Sequence, residues 1–135
     1  MNSGCIGTYD AAGNMTEGPA PDSLTDTHKY IYDAWNRLAK VTDDAQTPAT
    51  IAEYQYDGLG RRIVKSVYAS GSVTHRMHYY YDGWQVIEER KEVTGTEDTD
   101  PLAQYVWRSY YIDAPVLRWY DANTDEKPEC PLFPT

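Results

Sequence analysis

Apolar and polar residues alternate with a period of two along most of the chain, in short runs interrupted by Gly, Asn, Asp and Pro. The pattern is plainest at Tyr54-Gln55-Tyr56, Asp57-Gly58-Leu59-Gly60 and Arg61 to Val67. A period of two is that of a strand whose side chains alternate between faces. The two glycines supply residues that take positive φ at low steric cost, as a tight corner requires. The same order of strand, corner and strand recurs at His28 to Val41, where Tyr30 and Tyr32 share one face and Ile31 the other. It recurs again at Val73 to Val93 around Gly83. Leu102 to Trp107 and Ser109 to Asp113 predict a further hairpin arm, with Val116 to Tyr120 returning after Ala114-Pro115.

The aspartates of the Tyr-Asp pairs stand at 10, 33, 57 and 82, so the steps are 23, 24 and 25 residues. Self-similarity at such a period sets the architecture. The expectation is an all-β fold, an antiparallel β-hairpin repeat array. Its units lie near 9–27, 28–48, 49–72, 73–100 and 101–121, between a disordered N-terminal segment (1–8) and an irregular tail (122–135) with three prolines and no hydrophobic period. The first unit starts in mid-repeat, and Glu17 to Asp26, with Pro19 and Pro21, predicts a loop rather than a paired strand. Ile31, Leu38, Val41, Ile63, Val86, Ile87, Val106 and Val116 are expected to supply much of the apolar packing.

Composition narrows the function classes. Thirteen Tyr and four Trp against one Phe favour half-exposed strands, where a ring is buried and a polar edge meets water or a partner. A formal charge of −9 repels phosphate backbones and anionic bilayers, so nucleic acid is disfavoured as a partner. No apolar run has the length of a membrane helix, and the first seven residues show neither a basic start nor an apolar h-region. Cys5 and Cys130 could close a large loop, but two unpaired thiols are the simpler reading.

The candidate residues are those of the repeat motif: Tyr9, Asp10, Gly13, Tyr30, Tyr32, Asp33, Arg37, Tyr54, Tyr56, Asp57, Gly60, Arg61, Tyr79, Tyr81 and Asp82. A carboxylate recurring once per unit is more economically a turn former accepting backbone N–H bonds than one of a catalytic pair, which needs two carboxylates close together. Arg37 and Arg61 suit pairing with a repeat carboxylate or stacking on a tyrosine ring. His75 and His78, three apart on a strand, fall on opposite faces and do not converge on a metal. Asn14-Met15-Thr16 is a sequon of the kind that arises by chance. No Ser/His/Asp set, phosphate loop or Cys-rich metal spacing occurs, and no cofactor is expected. The Tyr and Trp strip leaves a carbohydrate- or cell-surface-binding module as the alternative, and aspartate chemistry leaves a self-cleaving core as a third reading.

Tyr30-x-Tyr32-Asp33-Ala34-Trp35-Asn36-Arg37-Leu38 and Tyr54-x-Tyr56-Asp57-x-x-Gly60-Arg61 resemble the tyrosine-aspartate (YD) repeats of the Rhs family. Tyr9 to Asn14 and Tyr79 to Val86 match more loosely. His78 to Arg90, Tyr105-Val106-Trp107, Tyr111-Ile112-Asp113 and Val116-Leu117-Arg118 are similar to the approach to that family's core domain. Two features depart from the pattern: Gln85-Val86 stand where Gly-Arg is usual, and Tyr110 and Trp119 replace the usual Arg and Asp. The resemblance implies a sheet of successive hairpins wound into a hollow shell enclosing a C-terminal toxin or effector, in a secreted or cell-surface protein. This chain would be a non-enzymatic fragment of that shell, its partners the remaining repeats and the enclosed cargo.

Overall fold

The computed structural model describes residues 7–21, 23–93, 95–98, 100–108 and 115–121. Cys5, Cys130, Tyr110, Tyr111-Ile112-Asp113 and the tail 122–135 lie outside them. The described elements are all strands: β1 (Thr8–Tyr9), β2 (Met15–Ala20), β3 (Ser23–Tyr32), β4 (Leu38–Asp43), β5 (Thr50–Tyr56), β6 (Arg62–Ala69), β7 (Ser72–Asp82), β8 (Gln85–Val93), β9 (Thr96–Glu97), β10 (Ala103–Trp107) and β11 (Pro115–Tyr120). They form one antiparallel sheet whose spatial order is the chain order, except that the short β9 pairs only with β8 and leaves β10 as the next long neighbour. In such a meander every second connection falls on the same edge, so the Tyr-Asp corners after β1, β3, β5 and β7 line up along one side.

The strand alternation gives the sheet two unlike faces. On one, Tyr30, Val41, Ala52, Val67 and His75 are successive cross-strand partners, as are Tyr79, Glu89, Ala103 and Tyr120. On the other, Lys40, Glu53, Ser66, Arg76 and Glu92 form a polar rung. Along this rung Lys40 pairs with Glu53 at 3.0 Å, Tyr68 donates to Glu53 at 2.6 Å, and Glu92 takes both Arg76 and His78. Opposite charges placed directly across a ladder are the sheet's form of side-chain pairing.

Among the described residues nothing packs over either face, and no large side chain is fully buried. This corrects the expected apolar core. Of the eight residues named for it only Val41 is buried; Leu38, Ile63 and Val86 are half-buried, while Ile31, Ile87, Val106 and Val116 are exposed. A one-layer sheet hides small residues beneath tall neighbours, and the buried apolar set is Ala20, Val41, Ala52 and Ala103.

A second correction concerns Glu17 to Asp26, expected as a loop. Most of it is strand, the end of β2 and the start of β3, with Pro19 opposite Thr27. Proline is tolerated here because the β1 partners of β2 end at Glu17 and the β2–β3 register breaks between Pro19 and Ala20, so the site is an edge and a bulge together.

The register also breaks at each corner, always on entering the residue before it: Thr8/Tyr9, Ile31/Tyr32, Gln55/Tyr56, Tyr80/Tyr81 and Val106/Trp107. In each case one residue of the outgoing strand, Thr16, Ala39, Ile63, Ile87 or Val116, has no Cα partner across the ladder. These are β-bulges, which bend and twist the strand that carries them.

Candidate functional site

The repeat motif builds the same corner three times. In the third unit Asp57 Oδ1 accepts the backbone N–H groups of Leu59 and Arg61, both at 2.9 Å, and Oδ2 accepts Arg61 Nε at 2.6 Å. Asp57 N–H donates to Arg61 O at 2.9 Å, and Gly60 N–H donates to Asp57 O at 3.0 Å. The second unit repeats every bond, from Trp35, Arg37 and Asn36 to Asp33 and from Asp33 N–H to Arg37 O. In the first, Asn14 takes the arginine's place, its Nδ2 donating to Asp10 Oδ2 at 2.9 Å. The fourth corner position is left-handed in all three: Gly13 at φ +87°, Asn36 at +59° and Gly60 at +83°. Glycine reaches that region without penalty, and asparagine is among the few other residues that do so readily.

The fourth unit differs. Asp82 is the last residue of β7 and pairs with Gln85, so the turn is the two-residue Gly83-Trp84 with positive φ at Gly83, the pattern of a type II′ hairpin. Where Gln85-Val86 stand in place of Gly-Arg, the arginine-closed corner is not built.

Each corner is tied to the next. Asn14 Nδ2 donates to Asn36 Oδ1 at 3.0 Å, Arg37 Nη1 to Asp57 O at 3.4 Å, and Arg61 Nη1 to Gly83 O. Bonds also run the opposite way. The tyrosine before one corner reaches the strand leaving the previous corner, Tyr56 OH donating to Leu38 O and Tyr81 OH to Arg62 O, both at 2.8 Å. Trp107 stands in the same place one unit on, its Nε1–H donating to Val86 O at 2.7 Å. Guanidinium groups cover the rings between: Arg37 over Tyr56, Arg61 over Tyr81, Arg62 over Tyr54 and Tyr79, and Arg118 over Tyr105 and Tyr120.

The electrostatics follow from this geometry. Burial pushes the Asp33 and Asp57 carboxyls up, but the backbone N–H groups and the arginine of each corner outweigh it and hold both below the ordinary aspartate value. Asp10 is held low chiefly by Asn14. Tyr56, Tyr79 and Tyr81 are pushed up, first by burial. On the polar face His78 and Arg76 hold Glu92 low against burial, whereas His75, on the aromatic face, is lowered by burial and by Lys91 and Lys65.

Both carboxylate oxygens of Asp10, Asp33 and Asp57 accept hydrogen bonds within their own corner. Among the described residues no group of three or more His, Cys, Asp and Glu is placed to hold a metal ion. Tyr9 is exposed at the first corner, and Tyr30 and Tyr54 line the aromatic face. Three participants escape a reading by residue identity: Asn14 as a neutral arginine, Asn36 as a glycine, and Trp107 as a tyrosine. The step of 26 residues from Tyr81 to Trp107, following 24 and 25 from Tyr32 through Tyr56 to Tyr81, is the signal that could have found the last.

Fold and corner together define a β-hairpin repeat protein. Residues 32–73, spanning the second and third corners, match the family model RHS Repeat. That stretch, residues 32–73, is therefore similar to an Rhs repeat.

Proposed function

We propose that this chain is a wall segment of an Rhs-type shell that encloses a C-terminal toxin or effector and itself performs no chemistry. Its role as a repeat scaffold rests on the matched repeat. The observation that carries the enclosing reading is the corner ladder, in which arginine and tyrosine bond each unit to the next. A sheet joined this way extends by adding units, and the bulge at every corner gives each added unit the same bend. Closed walls arise from such repeated curvature, and the two unlike faces give a wall an inner and an outer surface. The aspartates that could serve chemistry are committed to the corners, which supports a structural role.

The test is to produce the chain together with its adjoining reading frames and treat the product with protease. The expected result is a hollow particle by electron microscopy and a downstream segment protected until the particle is opened. A flat or filamentous assembly with the downstream segment digested at the same rate as the free segment would overturn the proposal.

A further inference from the structure

The two faces of the sheet treat their cations differently. On the polar face Lys29 pairs with Asp44, Lys40 with Glu53, Arg76 with Glu92 and Arg90 with Glu88. The aromatic face carries Arg62, Lys65, His75 and Lys91. Tyr54, Lys65, Met77 and Lys91 are successive cross-strand partners, Arg62 is opposite Tyr56, and His75 stands one rung along β7 from Met77. Among the described residues none of Arg62, Lys65 and Lys91 has a carboxylate within pairing distance. The two carboxylates closest to Lys91 by register, Glu89 and Asp98, are engaged elsewhere: Glu89 takes the Tyr105 hydroxyl at 2.8 Å and Asp98 takes the Asp100 N–H at 3.4 Å. A chain of net charge −9 thus presents a positive strip on its aromatic face.

The cations are grouped beside an apolar hollow. Lys65 and Lys91 stand two strand spacings apart, about 9.6 Å, with Met77 between them. Burial and the charges of Lys91 and Lys65 together lower the His75 imidazole. The Arg62 guanidinium lies over Tyr54 and Tyr79, 5.6 and 4.8 Å from their ring centroids. On the β5 side of the strip is a hollow of about 290 Å³, lined in part by Tyr30, Leu38, Val41, Ala52 and Tyr54, with Lys65 and Val67 as its wall toward β7. An apolar hollow bordered by an unpaired ammonium group suits a ligand that is apolar at one point and anionic at the next, because each part then keeps a matching partner. From Tyr30 on β3 to Lys91 on β8 is five strand spacings, about 24 Å. That is the length of about seven residues of extended chain, a span that fits a polypeptide better than a small molecule.

We propose that the aromatic face docks an acidic segment of a partner polypeptide. An apolar side chain of that segment fills the hollow beside Tyr30 and Val41, and its carboxylates meet Lys65, Lys91 and His75 through charge-assisted hydrogen bonds. The contact does not depend on the sheet's closing into a wall, since the open sheet presents the same face.

His75 and His78 lie on opposite faces of β7 and report on the two faces separately. In the full chain, proton NMR follows both imidazole titrations with a peptide of glutamate and leucine, and with a counterpart in which glutamine replaces glutamate. The acidic peptide should raise the His75 pKa saturably, since nearby carboxylates favour the charged ring, and leave His78, which is bonded to Glu92, unmoved. The glutamine counterpart should move neither. Lys65→Gln with Lys91→Gln should abolish the shift, and Lys65→Arg with Lys91→Arg should retain it, which separates loss of the site from loss of the fold. No shift at His75, an equal shift at His78, a shift with the glutamine peptide, or a shift that survives the Lys→Gln pair would overturn the proposal. So would an equal shift with inorganic phosphate alone, which would make the strip a general anion site. A His75 signal that moves with protein concentration in the absence of peptide would make the occupant a second copy and overturn it as well.

Discussion

Tyr56 joins two units with one hydroxyl, and removing that group isolates the contribution of the bond. Tyr56→Phe keeps the ring beneath Arg37 and loses only the donation to Leu38 O. The expected cost is about 1 kcal/mol, read as a lower urea midpoint at unchanged m-value; an unchanged midpoint would mean that the bond adds nothing in solution. The corner carboxylates set the pH response. Asp10, Asp33, Asp57, Glu53, Glu88 and Glu92 are all held below their ordinary values. A group depressed in the folded state contributes stability that is present above its unfolded pKa, about 4, and is lost as pH falls through its folded value. Stability should therefore decline as pH falls below about 4, and an Asp33→Asn, Asp57→Asn double variant should show a shallower decline in urea midpoint over the same range. Equal slopes would deny the corners their part in it. The aspartates and glycines of the corners were legible because residue type and spacing carry them. Asn36 and Trp107 were not, because what recurs there is a backbone angle and an N–H donor rather than a letter.

At the scale of the strand, the alternation marks the strands well and their packing badly. Ile63, Ile87 and Val116 sit at bulges, where one strand has an extra residue and a count of two no longer tells which face a side chain takes. Ile31 and Val106 do alternate as read, but they lie on the face that is not aromatic, which no second layer covers among the described residues. Val41→Ala, at the centre of the aromatic face, should cost about 1.5 kcal/mol. Ile31→Thr, exposed and on a strand, should change stability by no more than about 0.5 kcal/mol. Thermal unfolding of the two variants checks the contrast, and the reverse order would mean that the faces have been exchanged. Pro21 does fall in the turn after β2, but Pro19 misled for a related reason: proline excludes a fully paired strand, and among the described residues β2 has no β1 partner where Pro19 falls.

For the molecule as a whole, the dominant fact is that among the described residues no second layer covers the sheet. Among them stability comes from rungs, corners and half-covered rings, with Ala20, Val41, Ala52 and Ala103 in place of a core. The described sheet ends at β11, whose outer edge carries Val116, Leu117 and Tyr120 exposed, and an uncovered edge strand is a template for pairing with another chain. The −9 charge opposes that approach, yet salt screens it beyond about 8 Å at physiological strength. Association should therefore grow with ionic strength, seen as earlier elution in size-exclusion chromatography at high salt. A sharp monomer peak at every ionic strength would show that the edge is protected.

The chain-order meander also decides how the protein answers force. Held at its two ends and drawn apart, a sheet whose neighbours in space are neighbours in sequence is loaded one rung at a time, like a zipper, because each strand is peeled from the next across its hydrogen bonds rather than slid along them. Resistance should then be weak and periodic, with a release each time a corner gives way. The length freed per event should match the 23- to 25-residue step between corner aspartates, about 80 Å of extended chain. Optical tweezers would record this as a staircase of small, nearly equal steps. A single high-force rupture would mean that the units fail together, as a plate rather than a seam.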